Sequence, residues 1–438
     1  MTDAEKPAET DLPAPYQPQG AGYTRGKRRG RARRSHTVAK VLMATVLTLG
    51  MVSGLSVAFL YRHLNNNLNV VDLSEQVTNT PEKPEVEGPR EPLNILVMGD
   101  DSRQCKGCGI DDEGGGGSDT TILMHLSADR QSAYGISIPR DTLVDRPDCT
   151  AEDGSTIPGA SSSIWNAAYA LGGPACTITQ FQDLTGIAVD DYIVVDFASF
   201  QEMVDAIGGV QVCVPEDIDS SEYGITIKAG TRTIDGKEAL AYVRVRHGVG
   251  DGSDIGRIAR QQAFIAAMVE KVVSGGVLAR PDRLVRFLNA ATGSLTTDIK
   301  NIKQIADIGL QFQSIGLSRI RFITAPFVYS TAQPGRVELT SDADLLWKKI
   351  LNDQPLGKLR NGSIGANQVP TASAGQSPSS DASPSDDASP SDDASPSDEP
   401  SDEPSATDSS SPSEDPSASP SDSVDASADQ LESVGLCA

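Results

Sequence analysis

Histidine is scarce in this 438-residue chain, four in all, and aromatic residues make up only 5% of it. Of six cysteines, only Cys105 and Cys108 have the two-residue spacing of half a metal site. The part of the chain able to fold adds just His125 and His247, whereas a structural zinc site takes four ligands, so zinc is not expected. Cys105 and Cys108 instead suggest a small loop disulfide. Cysteine use fits an oxidising exterior, but the pairing of Cys149, Cys176, Cys213 and Cys437 is not readable from spacing. Two stretches lack charge, one of both signs and the other of positive sign. Val41 to Tyr61 has none in 21 residues, about the length of a membrane-crossing helix. Thr371 to Ala438 has no Lys or Arg against sixteen Asp and Glu, so most of the formal net charge of −23 belongs to this tail and says little about a substrate.

These gaps divide the chain. Residues 1–40 form a polar arm whose basic run, RGKRRGRARR from Arg25 to Arg34, is expected to be disordered and cytoplasmic. This run is the only one of its kind, and membrane topology with anionic lipid explains it, so no nucleic-acid partner is expected. Residues 41–61 read as a single transmembrane helix with everything after Arg62 outside the cell. A cleaved signal peptide is the competing reading, but the apolar run is long and starts far into the chain. Residues 62–92, with Pro81, Pro84, Pro89 and Pro92, read as an extracellular stalk. Residues 93–356 remain for one folded domain, and 357–438, built on SPSDDA repeats, for a disordered acidic tail.

Within the domain, short apolar runs predict strands at 94–98, 121–126, 132–138, 192–197, 210–214 and 319–323. Helical patterns cover 164–171, 178–184, 198–207, 257–274, 281–291, 300–312 and 341–351, with Gly172-Gly173-Pro174 breaking the first two apart. Apolar strands alternating with helices imply an α/β fold, a sheet covered by helices on both faces.

One stretch stands out chemically, ALAYVRVRHGVGDGSDIGRIARQQ from Ala239 to Gln262. Arg244 and Arg246 are two residues apart, which shares a face on extended chain. Arg257, Arg260 and Gln261 share one face of a helix whose start Ser253 or Asp254 would cap. An extended arm and a helix N-terminus converging on one point suit phosphate oxygens, because arginine is always charged and binds them in bidentate fashion. An ion-paired surface with Asp251 and Asp254 is the plainer alternative. Further candidates fall at strand ends, where open α/β sheets bind ligands. Asp101 and Asp119 are hard donors of the kind Mg²⁺ takes, and Arg140 would add a further guanidinium.

The motifs NILVMGDDSR (Asn94–Arg103), SDTTILMHL (Ser118–Leu126), SIPRDT (Ser137–Thr142), NAAYALGGP (Asn166–Pro174) and VRVRH…GSDIGRIARQQ together resemble the LytR-CpsA-Psr family of bacterial envelope proteins. The resemblance spans most of residues 93–350 and implies a central mixed sheet flanked by helices on both faces. It also implies a phosphotransferase that moves a glycopolymer from a polyprenyl-pyrophosphate carrier onto peptidoglycan, leaving a phosphodiester link and a lipid monophosphate. By position, Asp101 and Asp119 would hold Mg²⁺ (or Mn²⁺). Arg140, Arg244 and Arg246 would be catalytic and clamp the pyrophosphate together with Arg257 and Gln261, with Arg103 and Arg260 matching less closely. The lipid would lie in an apolar tunnel, for which residues 192–214 are candidates. Asp141 and Asp254 are the general-base candidates. Two departures from the family pattern are the insertion carrying Cys105, Cys108 and Gly114–Gly117, and Ile164-Trp165 where many relatives have a lysine before the Asn-Ala-Ala-Tyr motif. Alternatives are a lipid-pyrophosphate-binding regulatory protein, a pyrophosphatase, or transfer of glycan to a surface protein.

Overall fold

The computed structural model describes residues 37–101, 116–220, 224–245, 252–277, 280–360 and 362–367. The basic arm before residue 37, the acidic tail after 367 and nearly all of the cysteine-bearing insertion lie outside the described residues. The chain forms two compact units, Met1–Ala58 and Phe59–Ala438. The described part of the first is helix α1 (Thr37–Asn67), long and apolar enough to cross a membrane. It extends beyond the charge-free run at both ends, and its last residues, from Phe59 on, belong to the second unit.

The second unit is built on an eight-stranded mixed sheet. Its strands in chain order are β1 (Asn69–Val70), β2 (Leu93–Asp100), β3 (Ser118–Leu126), β4 (Ala133–Ile138), β5 (Asp191–Asp196), β6 (Thr296–Thr297), β7 (Ile320–Thr324) and β8 (Ile364–Gly365). They lie in the order β1-β6-β5-β2-β3-β4-β7-β8. β2 runs parallel to β5, β4 parallel to β7, and β3 antiparallel to both of its neighbours. The carboxyl ends of β2, β4, β5 and β7 therefore meet at one end, which the start of β3 joins.

Period-two alternation gives each strand an inward residue for both faces. On one face Leu96, Met98, Leu123, Tyr134, Ile136 and Val194 pack against α2 (Ala167–Thr185) and α8 (Ser341–Leu351), with Phe181 and Trp347 meeting edge to face. On the other, Ala133, Ile320 and Phe322 pack against α5 (Asp254–Lys271) and α7 (Ile302–Ile315). α3 (Phe197–Ala206), α4 (Gly236–Arg244) and α6 (Pro281–Ser294) complete this second layer. The fold is α/β with helices on both faces.

Four expectations need correction. Ala239–Arg244 is not an extended arm but the body of α4, because Asp235 and Glu238 form a reciprocal capping box and Ala239, Leu240 and Val243 bury one face in a core. Val210–Val214 is a strand as expected, paired antiparallel with Gly230–Ile234 outside the central sheet. Ile164 ends a strand, Ala160–Ile164, rather than starting a helix; the expected break is present, with Gly172 and Gly173 both non-helical inside α2. The expected stalk is fastened to the domain. Leu64 and Leu73 are buried, β1 pairs with β6, and Asn79 Nδ2 donates to Thr179 O at 3.1 Å. Isolated leucines in polar sequence each found a pocket, which composition alone does not reveal. At the other end β8 carries the fold past residue 356, with Ile364 and Ala366 in the core.

Candidate active site

The predicted residues meet at the carboxyl end of the sheet. Asp101 leaves β2 and is tied back by its N–H to Gly117 O at 3.0 Å, while Asp119 lies at the start of neighbouring β3. The Arg140 Nη1 donates to Asp119 Oδ1 at 2.5 Å, and its Nε lies 3.4 Å from Asp141 and 3.6 Å from Asp254. Burial works against the Arg140 charge, but Asp119, Asp254 and Asp141 outweigh it and hold the guanidinium above its ordinary pKa. Arg257, only 2% exposed in its side chain, lies 2.8 Å from Asp254 and 3.7 Å from Asp119. Arg244, at the last position of α4, reaches Asp101 at 3.4 Å and stacks its guanidinium 4.3 Å from the Phe197 ring centroid.

Local sequence explains each placement. Ser253 caps α5 by accepting from Gly256 N at 2.9 Å, which sets Arg257 one turn inside the helix, toward Asp119. Gln261 follows on the same face, taking a hydrogen bond from Thr120 Oγ1 at 3.2 Å and donating to Val243 O at 3.2 Å. Arg260, fully buried, donates to Val245 O and so holds the end of α4, a positioning part rather than a direct contact. Gln262 is structural too, bridging Ser137 and Thr324 across the sheet. Arg103 and Arg246 lie outside the described residues.

Three contributors were missed from sequence. Asn166 ties the site loops together, accepting from Ser118 N at 2.6 Å on its side chain and donating its backbone N–H to Arg140 O at 3.1 Å. A Cβ on Gly117 would collide with its amide. Asp196 ends β5 directly beside Asp100 and caps α3 through Ser199 N at 2.7 Å; the rule that pointed to the other strand-end carboxylates also applied to it. Tyr169 is hydrogen-bonded to Asp100, and burial first, then that carboxylate, push its hydroxyl well above the usual range, so it stays a donor. Trp165, directly before Asn166, is buried and donates to Thr121 Oγ1 at 3.0 Å.

Behind this polar end lies a cavity of about 240 Å³ between the second sheet face and α3, α4 and α5. Val97, Ile122, Val195, Phe264 and Met268 line it, and Asp119, Arg244 and Gln261 stand at its polar rim. Of residues 192–214, Val195–Phe197, Phe200 and Met203 reach it, whereas Val210, Val212 and Val214 are packed core.

Among the described residues no group of three or more His, Cys, Asp or Glu could hold a metal alone. Asp101 and Asp119 supply two carboxylates, the number Mg²⁺ commonly takes when phosphate oxygens and water fill the rest of its octahedron. The donor set thus fits a divalent ion that arrives with a phosphorylated ligand. Disulfide bonding joins Cys149 to Cys176, tethering the strand Cys149–Thr150 to α2 just past its kink, and Cys213 is disulfide-bonded as well.

With this geometry in place, likeness to known proteins becomes informative. The LytR_cpsA_psr family profile matches residues 60–345. The chain belongs to this family. It is 30% identical over 279 residues to the cell wall biosynthesis protein LcpA of Corynebacterium glutamicum, covering 57% of this chain and 53% of that one. It is also 30% identical over 274 residues to the polyisoprenyl-teichoic acid–peptidoglycan teichoic acid transferase TagV of Bacillus subtilis, covering 61% and 65%. The chain thus spans about half to two thirds of the length of these curated relatives. The crystal structure of B. subtilis TagV aligns with 60% of this chain and 96% of its own, at 27% identity and a TM-score of 0.47.

Proposed function

We propose that this LytR-CpsA-Psr protein is a phosphotransferase that moves a glycopolymer from a polyprenyl-pyrophosphate carrier to peptidoglycan. The observation that carries the reading is an ion-paired set, Asp101, Asp119, Arg140, Arg244 and Arg257, of which Asp119 and Arg244 also line an apolar cavity. An amphiphile with a long hydrocarbon tail and a pyrophosphate head matches that pairing of apolar interior and charged rim. The name of TagV, a polyisoprenyl-teichoic acid–peptidoglycan teichoic acid transferase, supports the same class of reaction.

In this reading the lipid lies along Val97, Ile122, Val195 and Phe264, and its head emerges beside Asp119 and Arg244. Arg140, Arg244, Arg246 and Arg257 are the clamp, with Gln261 beside them. An acceptor hydroxyl attacks the glycan-bearing phosphorus, a new P–O bond forms, the pyrophosphate bridge breaks, and lipid monophosphate leaves carrying the hydroxyl proton. Such a transition state spreads charge over the phosphoryl oxygens, so positioned guanidiniums supply most of what the reaction requires. Arg140 can exchange its carboxylate partners for phosphate without moving far, since three of them lie within 3.6 Å. Asp101 and Asp119 would hold Mg²⁺ or Mn²⁺, which neutralises developing charge on the pyrophosphate. Asp141 and Asp254 are each held by guanidiniums and serve here to orient them. The anchor helix keeps the domain outside the cell near a substrate confined to the bilayer, with the N-terminus cytoplasmic.

The test uses the full chain in detergent with a short-chain polyprenyl-pyrophosphate glycan and peptidoglycan fragments, followed by mass spectrometry. A phosphodiester product that EDTA and Asp119→Ala abolish is the expected result. Phosphate release without transfer would indicate hydrolysis, and tight binding without product a sequestering role.

A further inference from the structure

Asp141 leads from the clamp to a second surface. Its Oδ2 faces Arg140, while its Oδ1 is taken by Arg336. Arg336 opens the strand Val337–Leu339, which pairs antiparallel with Phe327–Tyr329 in a hairpin apart from the main sheet. Val337 N donates to Asp141 O at 3.3 Å, and Val337 bridges to Thr142. The hairpin is therefore fastened to the loop that carries Arg140.

Its outer side is unusual for an isolated hairpin. Tyr329 is 64% exposed, with the Phe327 ring edge-on to it at 5.9 Å on the same face of the strand, and Val328 is 51% exposed on the opposite face. The same hairpin carries hydrogen-bonding groups. Gln333 in the turn donates to Ser162 Oγ at 3.2 Å, on the exposed part of strand Ala160–Ile164, and Arg336 lies alongside. Ser162 has a φ of 54°, a conformation that a non-glycine residue adopts at some cost. An exposed aromatic ring on a hairpin that also carries the Gln333 amide and the Arg336 guanidinium matches a pyranose, whose C–H face is apolar and whose rim is hydroxyls. A bilayer would call for an unbroken apolar tip, and Gln333, Arg336 and Glu338 interrupt this one.

We infer that the Phe327–Leu339 hairpin, with Tyr329 as its platform, is the subsite for the acceptor saccharide. The assignment to the acceptor rests on the transferase reading and on position. The cavity for the donor opens at Asp119, Arg244 and Gln261, whereas the hairpin joins the site on the flank of Arg140, through Asp141. A donor entering from the cavity leaves that flank open to the incoming hydroxyl.

Binding of a soluble N-acetylglucosamine oligomer to the full chain in detergent, followed by saturation-transfer NMR, tests the platform without turnover. Tyr329→Ala should weaken binding by about tenfold, and Tyr329→Phe should retain it, as stacking predicts. Because Tyr329 is exposed, both variants should melt like the parent, which excludes misfolding as the cause. Oligomer binding that is absent from the parent, or unchanged in Tyr329→Ala, overturns the platform. Neither readout depends on the transfer reaction. In the transfer assay Tyr329→Ala should raise KM for the acceptor and leave KM for the donor; a rise for the donor instead overturns the assignment to the acceptor.

Discussion

The two ends of the sheet carry polar clusters of opposite character. At the end away from the cavity, His125 is buried between Asn94 Oδ1 at 2.8 Å and Asp353 Oδ1 at 3.1 Å. Asp353 Oδ2 takes Ala128 N at 2.9 Å, and Asp190 takes Asn94 N at 2.9 Å. At the other end, Arg140, Arg244 and Arg257 share their carboxylates at 2.5–3.7 Å, and Arg140 and Arg244 keep some exposure. Bonds with settled partners hold strands in register. Shared ion pairs can be redistributed around an arriving anion. The same strands, β2 and β3, thus end in a lock on one side and an adjustable cradle on the other.

Mutation should separate the two. Arg140→Ala removes a clamp from the cradle and should lower kcat by about 10²–10³ while the melting temperature barely changes, since that arginine shares its carboxylates with others. Transfer assays beside thermal denaturation give both readings, and a large loss of stability with normal turnover would erase the distinction. Asp353→Ala should do the reverse. It strips an acceptor from His125 and from Ala128 N and puts alanine at a φ of 50°, for about 3 kcal/mol of stability. Turnover per folded molecule should hold. Between these lies Asn166→Ala, which leaves every charge in place but frees Ser118 from its tie. A loss of about tenfold in kcat, with little change in donor KM, would mark it as a positioning residue.

What could be read in advance follows the same division. Apolar runs and strand ends are local signals, so β2 to β5 were legible, with Asp101 and Asp119 at neighbouring strand ends, as was the capped start of α5 that aims Arg257. Arg244 ends α4 rather than lying on extended chain, because the capping box that opens at Asp235, nine residues earlier, outweighs a spacing of two. Asn166 was hidden because its role depends on two loops, at Ser118 and Arg140, that meet only in the fold. Tyr329 gave no signal either: an aromatic in a short strand is ordinary until its exposure and its link to Asp141 are known.

The smallest effect concerns a residue in neither cluster. Asp298, half-buried where β6 ends, accepts Tyr192 N at 2.9 Å, yet burial raises its pKa to about 6 from 3.8. The folded protein therefore binds this proton more tightly than the unfolded chain does. Stability from this group is fully present below about pH 4 and is lost as pH rises toward 6. Allowing for solvent screening of a partly exposed carboxyl, the change is on the order of 1 kcal/mol. Asp298→Asn keeps an acceptor for Tyr192 and removes the charge, so it should flatten this slope and stabilise the protein at neutral pH. Urea denaturation at pH 4 and pH 7 compares them directly. An unchanged slope would mean that Asp298 is as well solvated when folded as when unfolded, and that the sheet holds no third kind of polar site between its lock and its cradle.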